Sequence, residues 1–302
     1  MIDMSENHES ITQAKLREAK IKCQLFAMDY DGTLADGEQY KREEAIALIK
    51  EILAHGKTPA FITARAVTAV KIFVPPLDEY YQKFSDSGPT YIAGGNGTVL
   101  YRFNAKKLEQ IYNHGLSLQE VKIIVEKWEN YANENLPVQS SSGKGLKTFR
   151  EFYKDNWDHL IPDEVLDVGR IFAGRIFTEE AKVTFVFPKD ISRHEQIVAD
   201  MQRLVGGDFS VAAGDKDFCH ITKRLEEDSK VVAIKTIMKE LGLTENQVVT
   251  FGDMPYGNDK GLLSFPYSFT NYSATHQPPF VLAGSETDPV GSVHKAVSFL
   301  IQ

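Results

Sequence analysis

Two aspartates, Asp29 and Asp31, directly follow the short apolar run Leu25–Met28. Side chains of a strand alternate between its two faces, so carboxylates two residues apart point the same way at a strand's end. Gly32 permits a tight turn behind them, and Thr33 suits a capping position. Two carboxylates this close repel each other unless a cation lies between them or one stays protonated. The pair therefore predicts a nucleophile beside a general acid/base, with a divalent cation damping the repulsion.

The same residues have a second interpretation. Asp-Gly is a common turn dipeptide of β-hairpins, and the pair alone is compatible with such a turn. The polar residues that follow other predicted elements decide between the two interpretations.

Three further polar positions follow or begin predicted elements. Thr63 ends an apolar strand, where its hydroxyl suits either a phosphate oxygen or a helix cap. Lys230 begins a helix, where a lysine opposes the helix dipole unless an anion lies nearby; a solvated surface lysine is the alternative. Asp253 follows a third apolar strand, ahead of Asn258 and Asp259, and such oxygen ligands suit Mg²⁺.

Apolar strands alternate with amphipathic helices in the two outer parts of the chain. The predicted strands are 25–28, 58–62, 90–93 and 248–251, and the predicted helices include 43–53 and 230–241. This alternation is typical of βαβ units and a parallel sheet. Ligands of such a sheet bind at the carboxyl ends of its strands, where the polar residues above are expected.

The middle of the chain has a different pattern. It contains predicted helices at 118–131 and 194–204, a strand-rich stretch at 174–187 and a strand at 209–213. We predict an α/β core domain of residues 21–103 and 215–302, in which a strand at 218–221 resumes the parallel pattern. Residues 104–214 are predicted to form an inserted α+β domain with a mostly antiparallel sheet. Residues 1–20 are interpreted as a polar extension, at most a frayed helix.

Composition excludes some classes of function. The chain has 302 residues and a net charge of −8, which argues against sequence-independent binding of nucleic acid. Cys23 and Cys219 lie far apart without metal-ligand spacing, and reduced thiols are favoured over a disulfide. No apolar stretch reaches the length of a membrane span, and the amino terminus has no signal pattern, so a cytoplasmic protein is expected.

The polar positions together resemble the motifs of a known superfamily. They are Asp29-Tyr30-Asp31-Gly32-Thr33, then Thr63, Lys230, and Gly252-Asp253 with Asn258-Asp259. This set resembles the four motifs of the haloacid dehalogenase superfamily of phosphohydrolases, from about residue 22 to the carboxyl terminus. The inserted block resembles the type IIB cap of the Cof-type branch, which includes sucrose-phosphate phosphatases and phosphomannomutases. The resemblance implies a Rossmann-like parallel-sheet core with this cap.

The resemblance also implies roles for single residues. Asp29 would be the nucleophile that forms an aspartyl-phosphate. Asp31 would protonate the leaving alcohol and then activate the hydrolytic water. Thr63 and Lys230 would hold the phosphoryl group.

The cofactor implied by the resemblance is Mg²⁺. Its ligands would be Asp29, the backbone carbonyl of Asp31, and Asp253. Asp259 would reach the ion directly or through water. Developing charge on the phosphoryl oxygens would be met by the ion and by Lys230.

Two asparagines are further candidate site residues, and the sequence differs from the usual superfamily motifs at two points. Asn96, in the loop at 94–97, and Asn258 are candidate contacts to the phosphate. Ala64 stands where many relatives have glycine. Four residues separate Asp253 from Asn258, where simple Cof-type members have two, which makes the role of Asp259 less defined than that of Asp253.

The expected activity is a Mg²⁺-dependent phosphatase acting on a sugar phosphate or a similar small phosphomonoester. A phosphomutase is the alternative, and it would need additional cations on the cap. An inactive relative that serves as a binding module is disfavoured by the complete motif set. The cap cations available for substrate contact are Lys182 and Arg170 or Arg175, with Lys147 as a further candidate for a mutase. The expected partner is a small phosphorylated metabolite, with neither nucleic acid nor a membrane, and the oligomeric state is not readable from the sequence.

Overall fold

The computed structural model describes residues 4–35, 42–65, 74–104, 107–135, 175–178, 182–186, 194–213, 218–274 and 278–302. The chain divides into two compact units. The core unit comprises Met1–Asn113 and Glu227–Gln302, and the inserted unit comprises His114–Glu226.

The described residues form twelve strands and seven α-helices. The strands are β1 (Leu25–Met28), β2 (Thr58–Ile62), β3 (Thr90–Gly94), β4 (Val99–Asn104), β5 (Lys107–Asn113), β6 (Arg175–Thr178), β7 (Lys182–Val186), β8 (Phe209–Ala213), β9 (Phe218–Lys223), β10 (Val248–Gly252), β11 (Tyr267–Thr270) and β12 (Phe280–Val281). The helices are α1 (Met4–Lys22), α2 (Arg42–Ala54), α3 (Val74–Lys83), α4 (Leu118–Asn135), α5 (His194–Val205), α6 (Ser229–Leu241) and α7 (Pro289–Ile301).

The core unit is built on an eight-stranded sheet in the order β12-β11-β10-β1-β2-β3-β4-β5. The pairs from β12 through β3 are parallel, and the pairs of β4 with β3 and β5 are antiparallel. The predicted α/β class with a largely parallel sheet is confirmed.

Strand β1 lies in the middle of the parallel part of this sheet. All four of its residues are buried, as expected for a continuous apolar run covered on both faces. Its register aligns Met28 with Phe251 of β10 and Phe61 of β2. The chain segments that follow these three strands therefore leave the sheet at the same edge.

Apolar side chains of β1 alternate between two hydrophobic clusters. Phe26 and Met28 belong to the cluster that contains residues of α1, α2, α3 and α7. Leu25 and Ala27 belong to the cluster that contains Ile234 and other residues of α6. The sheet is thus covered by helices on both faces, which is the layering of a doubly wound fold.

Helix α1 corrects the interpretation of residues 1–20 as a polar extension. Leu16 and Ala19 are buried in the core cluster together with Cys23. Thr12 donates from Oγ1 to the carbonyl oxygen of Val281 on the edge strand β12, at 3.1 Å. The helix therefore packs on the core through a narrow face whose apolar residues are three to four positions apart, a weak signal within a polar segment.

The inserted unit contains a four-stranded sheet in the order β6-β7-β9-β8, with antiparallel pairing throughout. Helices α4 and α5 supply Trp128, Ile197 and Met201 to its hydrophobic cluster, with Phe185 of β7. Trp128 stacks on Phe185 at a centroid distance of 4.3 Å. The α+β character with an antiparallel sheet agrees with the sequence prediction.

The boundaries between the units differ from the predicted ones. The segment Lys107–Asn113, assigned to the insertion, forms β5 and pairs with β4 in the core sheet. The segment 218–221, assigned to the parallel core, lies in β9 and pairs antiparallel with β7 and β8. Both boundaries therefore lie about ten residues further along the chain, at Asn113 and at Glu226.

No helix of the described ranges is long and apolar enough to cross a membrane.

Candidate active site

The candidate site is assembled at the carboxyl ends of β1, β2 and β10. Asp29 follows β1, and its N–H donates to the carbonyl oxygen of Phe251 at 2.9 Å, which continues the β1–β10 ladder by one residue. Thr63 follows β2, and its N–H donates to the carbonyl oxygen of Ala93 on β3 at 2.9 Å. Asp253 follows β10. The parallel register thus brings together polar residues that are far apart in the sequence.

Lys230 enters the site from the first turn of α6. Asp228 caps this helix by accepting from the N–H groups of Lys230 and Val231. The Lys230 side chain is 1% exposed, and its Nζ lies 2.9 Å from Asp29 Oδ1 and 2.5 Å from Asp259 Oδ1. The alternative interpretation of Lys230 as a solvated surface lysine is therefore wrong, because its ammonium is buried between two carboxylates.

Three carboxylates form a cluster around this ammonium. Asp29, Asp253 and Asp259 each offer an oxygen, and these atoms lie within 4.8 Å of one another. Burial raises the pKa of Asp29. The positive charge of Lys230 opposes this increase, and the negative charge of the neighbouring Asp259 adds to it. Burial also raises the pKa of Asp253, with further contributions from Asp29 and Asp259. Burial lowers the pKa of Lys230, but Asp259 and Asp29 outweigh it and the net shift is upward.

The donor set of the cluster fits a magnesium ion. Three carboxylates face one ammonium, which leaves an excess of negative charge in a buried region. Hard oxygen ligands of this kind suit Mg²⁺, which takes one or two carboxylates together with waters and substrate phosphate. Asn258 adds a buried Oδ1 that has no hydrogen-bond partner among the described residues.

Asp259 organises the loop that carries Asp253. Its Oδ2 accepts from the N–H groups of Asp253 at 3.0 Å and Met254 at 3.1 Å. A Cβ at Gly252 would lie 2.8 Å from this oxygen, so the approach requires glycine at that position. Both oxygens of Asp259 thus accept from the protein, one from the loop and one from Lys230.

Asp31 lies apart from the cluster. Its side chain is 43% exposed, and it is not among the described carboxylates that share the 4.8 Å cluster. Arg65 donates to both of its oxygens, from Nε to Oδ2 at 2.7 Å and from Nη2 to Oδ1 at 2.6 Å. Arg65 was not predicted as a site residue, although it stands two residues after Thr63, in the segment that follows β2.

The turn behind Asp31 is fixed by Gly32, as predicted, and by two residues that were not predicted, Asn271 and His294. Gly32 has a φ of +72°, and a Cβ there would lie 2.4 Å from Asp253 Oδ2. Asn271, which follows β11, donates from Nδ2 to the carbonyl oxygen of Gly32 at 2.7 Å. His294 of α7 lies with Nε2 2.9 Å from the carbonyl oxygen of Leu34.

Thr63, Asn96 and Lys230 are linked through their backbones. Asn96, in the left-handed region at a φ of 61°, donates its N–H to the carbonyl oxygen of Thr63 at 2.9 Å. Ser229, next to Lys230, donates from Oγ to the carbonyl oxygen of Asn96 at 2.6 Å. The side-chain Oδ1 of Asn96 is buried without a hydrogen-bond partner in the described part of the chain. Three of the four predicted phosphate contacts therefore share one local framework; the fourth, Asn258, lies in the loop after Asp253.

The predicted cap contacts lie on the inserted unit or beyond the described ranges. Lys182 begins β7 and is buried, with Nζ 3.4 Å from Nδ1 of His220 on β9. Thr184 Oγ1 lies 3.0 Å from the same nitrogen. Lys182, Thr184 and His220 therefore form a polar cluster that was not predicted from the sequence. Arg175 begins β6. Arg170 and Lys147 lie outside the described residues.

Comparison with known proteins now identifies the family. A family model described as haloacid dehalogenase-like hydrolase matches residues 26–269, from β1 to β11. The chain belongs to this family. The sequence prediction of a hydrolase of the haloacid dehalogenase (HAD) superfamily is confirmed.

Solved structures share the fold at low sequence identity. A HAD/COF-like hydrolase from Plasmodium vivax is 18% identical with a TM-score of 0.60, covering 94% of this chain and 98% of that chain. An IMP-bound, N-terminally truncated IMP-nucleotidase from Plasmodium falciparum is 13% identical with a TM-score of 0.60. The match covers 98% of this chain and 73% of that chain. A HAD-like hydrolase from B. subtilis is 15% identical with a TM-score of 0.57. The match covers 90% of this chain and 99% of that chain. No curated protein matches the chain significantly. These likenesses confirm the Cof-type HAD fold.

Proposed function

We propose that this HAD hydrolase is a Mg²⁺-dependent phosphatase of small phosphomonoesters that works through an aspartyl-phosphate. One observation carries the proposal: the buried Asp29 carboxylate is held by Lys230 beside Asp253 and Asp259, at the carboxyl edge of the sheet. Family membership supports the hydrolytic reaction. A sugar phosphate is the expected substrate class, and a small phosphorylated metabolite is the expected partner.

In the first step Asp29 attacks the phosphorus. Lys230 holds Oδ1 of this carboxylate, so we assign the attack to Oδ2. The new bond joins Asp29 to phosphorus, and the bond from phosphorus to the leaving oxygen breaks. Asp31 gives a proton to that oxygen, so an alcohol leaves.

In the second step the aspartyl-phosphate is hydrolysed. Asp31, now ionised, takes a proton from a water whose oxygen attacks the phosphorus. The bond from phosphorus to Asp29 breaks, which releases phosphate and restores the carboxylate. Thr63, Asn96 and Lys230, held in one framework, would bind the phosphoryl oxygens throughout.

The magnesium ion would be held by Asp29, Asp253 and the backbone carbonyl of Asp31. Asp259 holds the loop beside it and would reach the ion directly or through water, and Asn258 is a candidate contact to the phosphate. When bound, the ion supplies charge neutralisation for the phosphoryl oxygens.

Phosphate release from a panel of phosphometabolites tests the proposal. We expect turnover with Mg²⁺ on at least one member, and loss by at least ~10³-fold in Asp29→Asn. The panel should include nucleoside monophosphates as well as sugar phosphates, because one structural neighbour is an IMP-nucleotidase. Asp86→Asn, at an exposed aspartate of the loop after α3, is the matched control and should retain full activity.

The outcomes also separate the alternatives. No turnover on any panel member by a folded protein would reject the phosphatase. Interconversion of sugar phosphates without phosphate release, dependent on a hexose bisphosphate, would instead establish the phosphomutase. Reduced affinity in Lys182→Gln or in Arg170 and Arg175 variants would test the predicted substrate contacts.

A further inference from the structure

Arg65 and Asp31 form a bidentate pair at the edge of the active site. Nε and Nη2 of the guanidinium donate to the two different oxygens of the carboxylate, at 2.7 Å and 2.6 Å. Two parallel bonds of this kind fix the plane of a carboxylate as well as its position. Because the Asp31 side chain is 43% exposed, its own burial is not sufficient to hold it in one orientation.

Arg65 is itself held by contacts on three sides. Its guanidinium carbon lies 5.1 Å from the ring centroid of Tyr30, the residue between the two aspartates. Tyr30 is buried and packs edge-on against Phe61 of β2 at a centroid distance of 6.5 Å. The Arg65 N–H donates to Thr63 Oγ1 at 3.1 Å, and its carbonyl oxygen accepts from Gly95 at 2.8 Å.

This anchoring sets the pair apart from an ordinary surface ion pair. Exposed pairs between flexible side chains contribute ~0–1 kcal/mol and hold no fixed geometry. Here both the backbone and the guanidinium of Arg65 are fixed to the elements that also position Thr63 and Asp29. The orientation of Asp31 is therefore tied to the framework of the phosphate-binding residues.

We propose that Arg65 is a positioning residue for Asp31, holding its carboxylate in the orientation from which it exchanges a proton with the leaving group. The inference rests on the proposed phosphatase function and adds a residue to it. Arg65 acts through Asp31 and contacts no reacting atom. Its contribution should therefore be large where the leaving group needs a proton and small where it does not.

A series of substituted phenyl phosphates separates these cases. The p-nitrophenyl leaving group departs readily as an anion, whereas the p-methoxyphenyl leaving group depends more on protonation. The value of kcat/KM is the correct readout, because it reports the step in which the leaving group departs. We expect Arg65→Met to lower kcat/KM on the p-methoxyphenyl ester ~10-fold more than on the p-nitrophenyl ester, a part of the 10²–10⁴-fold that general acid catalysis supplies.

A double-variant cycle tests whether the effect passes through Asp31. In an Asp31→Asn background, Arg65→Met should produce no further leaving-group-dependent loss, because contacting residues that act as a unit are non-additive. Arg65→Lys keeps the charge without the planar fork and should fall between wild type and Arg65→Met. If Arg65→Met fails to fold, the lysine variant carries the same comparison.

Arg102→Met is the matched control. Arg102 also pairs with carboxylates, Glu109 and Glu240, but lies on β4 away from the site residues, and its loss should leave the leaving-group dependence unchanged. An equal loss on every ester, or a full additional loss in the Asp31→Asn background, would overturn the proposal. A folded wild type that hydrolyses no ester would reject the phosphatase function itself, and the inference with it.

Discussion

Lys230 is a buried ammonium that contacts two buried carboxylates, with a third nearby. Removing charges from water costs several kcal/mol for each ion, and such a group repays this cost only when its pairing is close to complete. Here one cation faces three carboxyl groups, two of which have raised pKa values because of burial and mutual repulsion, so the arrangement is poorly explained by stability alone. It is better explained by the proposed phosphatase function, in which the cluster would receive a metal ion and Lys230 would contact the phosphoryl oxygens.

Gly32 allows a residue-scale test of the link between the turn and the carboxylate cluster. An alanine there would adopt a positive φ and would place its Cβ 2.4 Å from Asp253 Oδ2. We expect Gly32→Ala to displace Asp253, raising the Mg²⁺ concentration for half-maximal activity and lowering kcat/KM ~10-fold or more, as small displacements in active sites do. Both values come from Mg²⁺ titrations of phosphate release.

Gly56→Ala is the matched control for this substitution. Gly56 has nearly the same φ, +69°, and a Cβ there would meet nothing within 4 Å. Both variants should lose ~1–2 kcal/mol of stability from the left-handed conformation, but only Gly32→Ala should change the magnesium dependence. Equal magnesium dependence in the two variants would contradict the assigned role of the turn.

At the scale of elements, helix α1 is fastened to the core by a small polar group. Glu18 accepts from Lys15 and Lys22 at 2.8 Å each and from the hydroxyl of Tyr267 on β11 at 2.6 Å. Tyr267 itself is buried, so this group connects the exposed face of the helix to a strand of the sheet.

The same group makes the docking of α1 sensitive to acid. Hydrogen bonds from Lys15, Lys22 and Tyr267 lower the pKa of Glu18 from 4.5 to about 2. Because the pKa is depressed in the folded state, the stabilising contribution is complete above about pH 4.5 and declines as the pH falls toward 2. We therefore expect Glu18→Gln to be less stable than wild type at pH 7, by a margin that shrinks below pH 4.5.

Urea unfolding of wild type and Glu18→Gln between pH 7 and pH 3 measures the difference between their free energies of unfolding. Glu79→Gln, at an exposed position of α3, is the control for the loss of a surface carboxylate. A Glu18→Gln margin that stays constant through pH 3 would refute the role of Glu18 in docking the helix.

The elements differ in how well the sequence predicted them, and the reason is physical. The parallel strands β1, β2 and β10 are buried on both faces, so they stand out as apolar runs followed by polar residues. In strand β9, the apolar Cys219 and Ile221 alternate with the polar His220 and Thr222. This alternation is typical of an antiparallel strand and agrees with the position of β9 in the second sheet. The packing of helix α1 on the core was not predicted, because few of its residues are apolar.

The site was predictable to a similar extent. Asp29, Asp253 and Lys230 follow or begin strongly patterned elements, so their convergence follows from strand order alone. The pairing of Asp31 with Arg65 depends on side-chain geometry between the segments that follow β1 and β2. The support from Asn271 and His294 depends on contacts more than 200 residues apart in sequence. Such contacts leave no local pattern to read.

At the scale of the whole molecule, each unit has a hydrophobic cluster of its own. All three members of the carboxylate cluster and Lys230 belong to the core unit, on segments that precede and follow the inserted unit. A metal ion bound there would therefore join the two halves of the core unit.

Metal binding should consequently stabilise the protein. We expect Mg²⁺ to raise Tm, by the equivalent of ~2.7 kcal/mol when its concentration is 100 times Kd. Asp253→Asn should remove most of this increase. It should cost little stability without Mg²⁺, because burial and the neighbouring carboxylates already raise the pKa of Asp253 and disfavour its ionised form. Thermal unfolding monitored by circular dichroism, with sodium chloride matching the ionic strength, provides the measurement.

A Mg²⁺-induced increase of the same size in Asp253→Asn and wild type would contradict the predicted ion site. Asp86→Asn is again the control and should keep the full increase, since this aspartate is exposed on the loop after α3.

The pairing of β1 with β10 has a consequence for synthesis of the protein on the ribosome. Strand β1 emerges early, but its neighbour β10 emerges only after the entire segment His114–Glu226 has been translated. At ~5–20 residues per second, this delay is on the order of ten seconds. Throughout it the nascent chain presents an apolar strand with one unpaired edge, which is a template for pairing with other chains. The strand that precedes the proposed nucleophile, Asp29, is thus exposed to mispairing while the polypeptide is still being made, and a chaperone would protect it there.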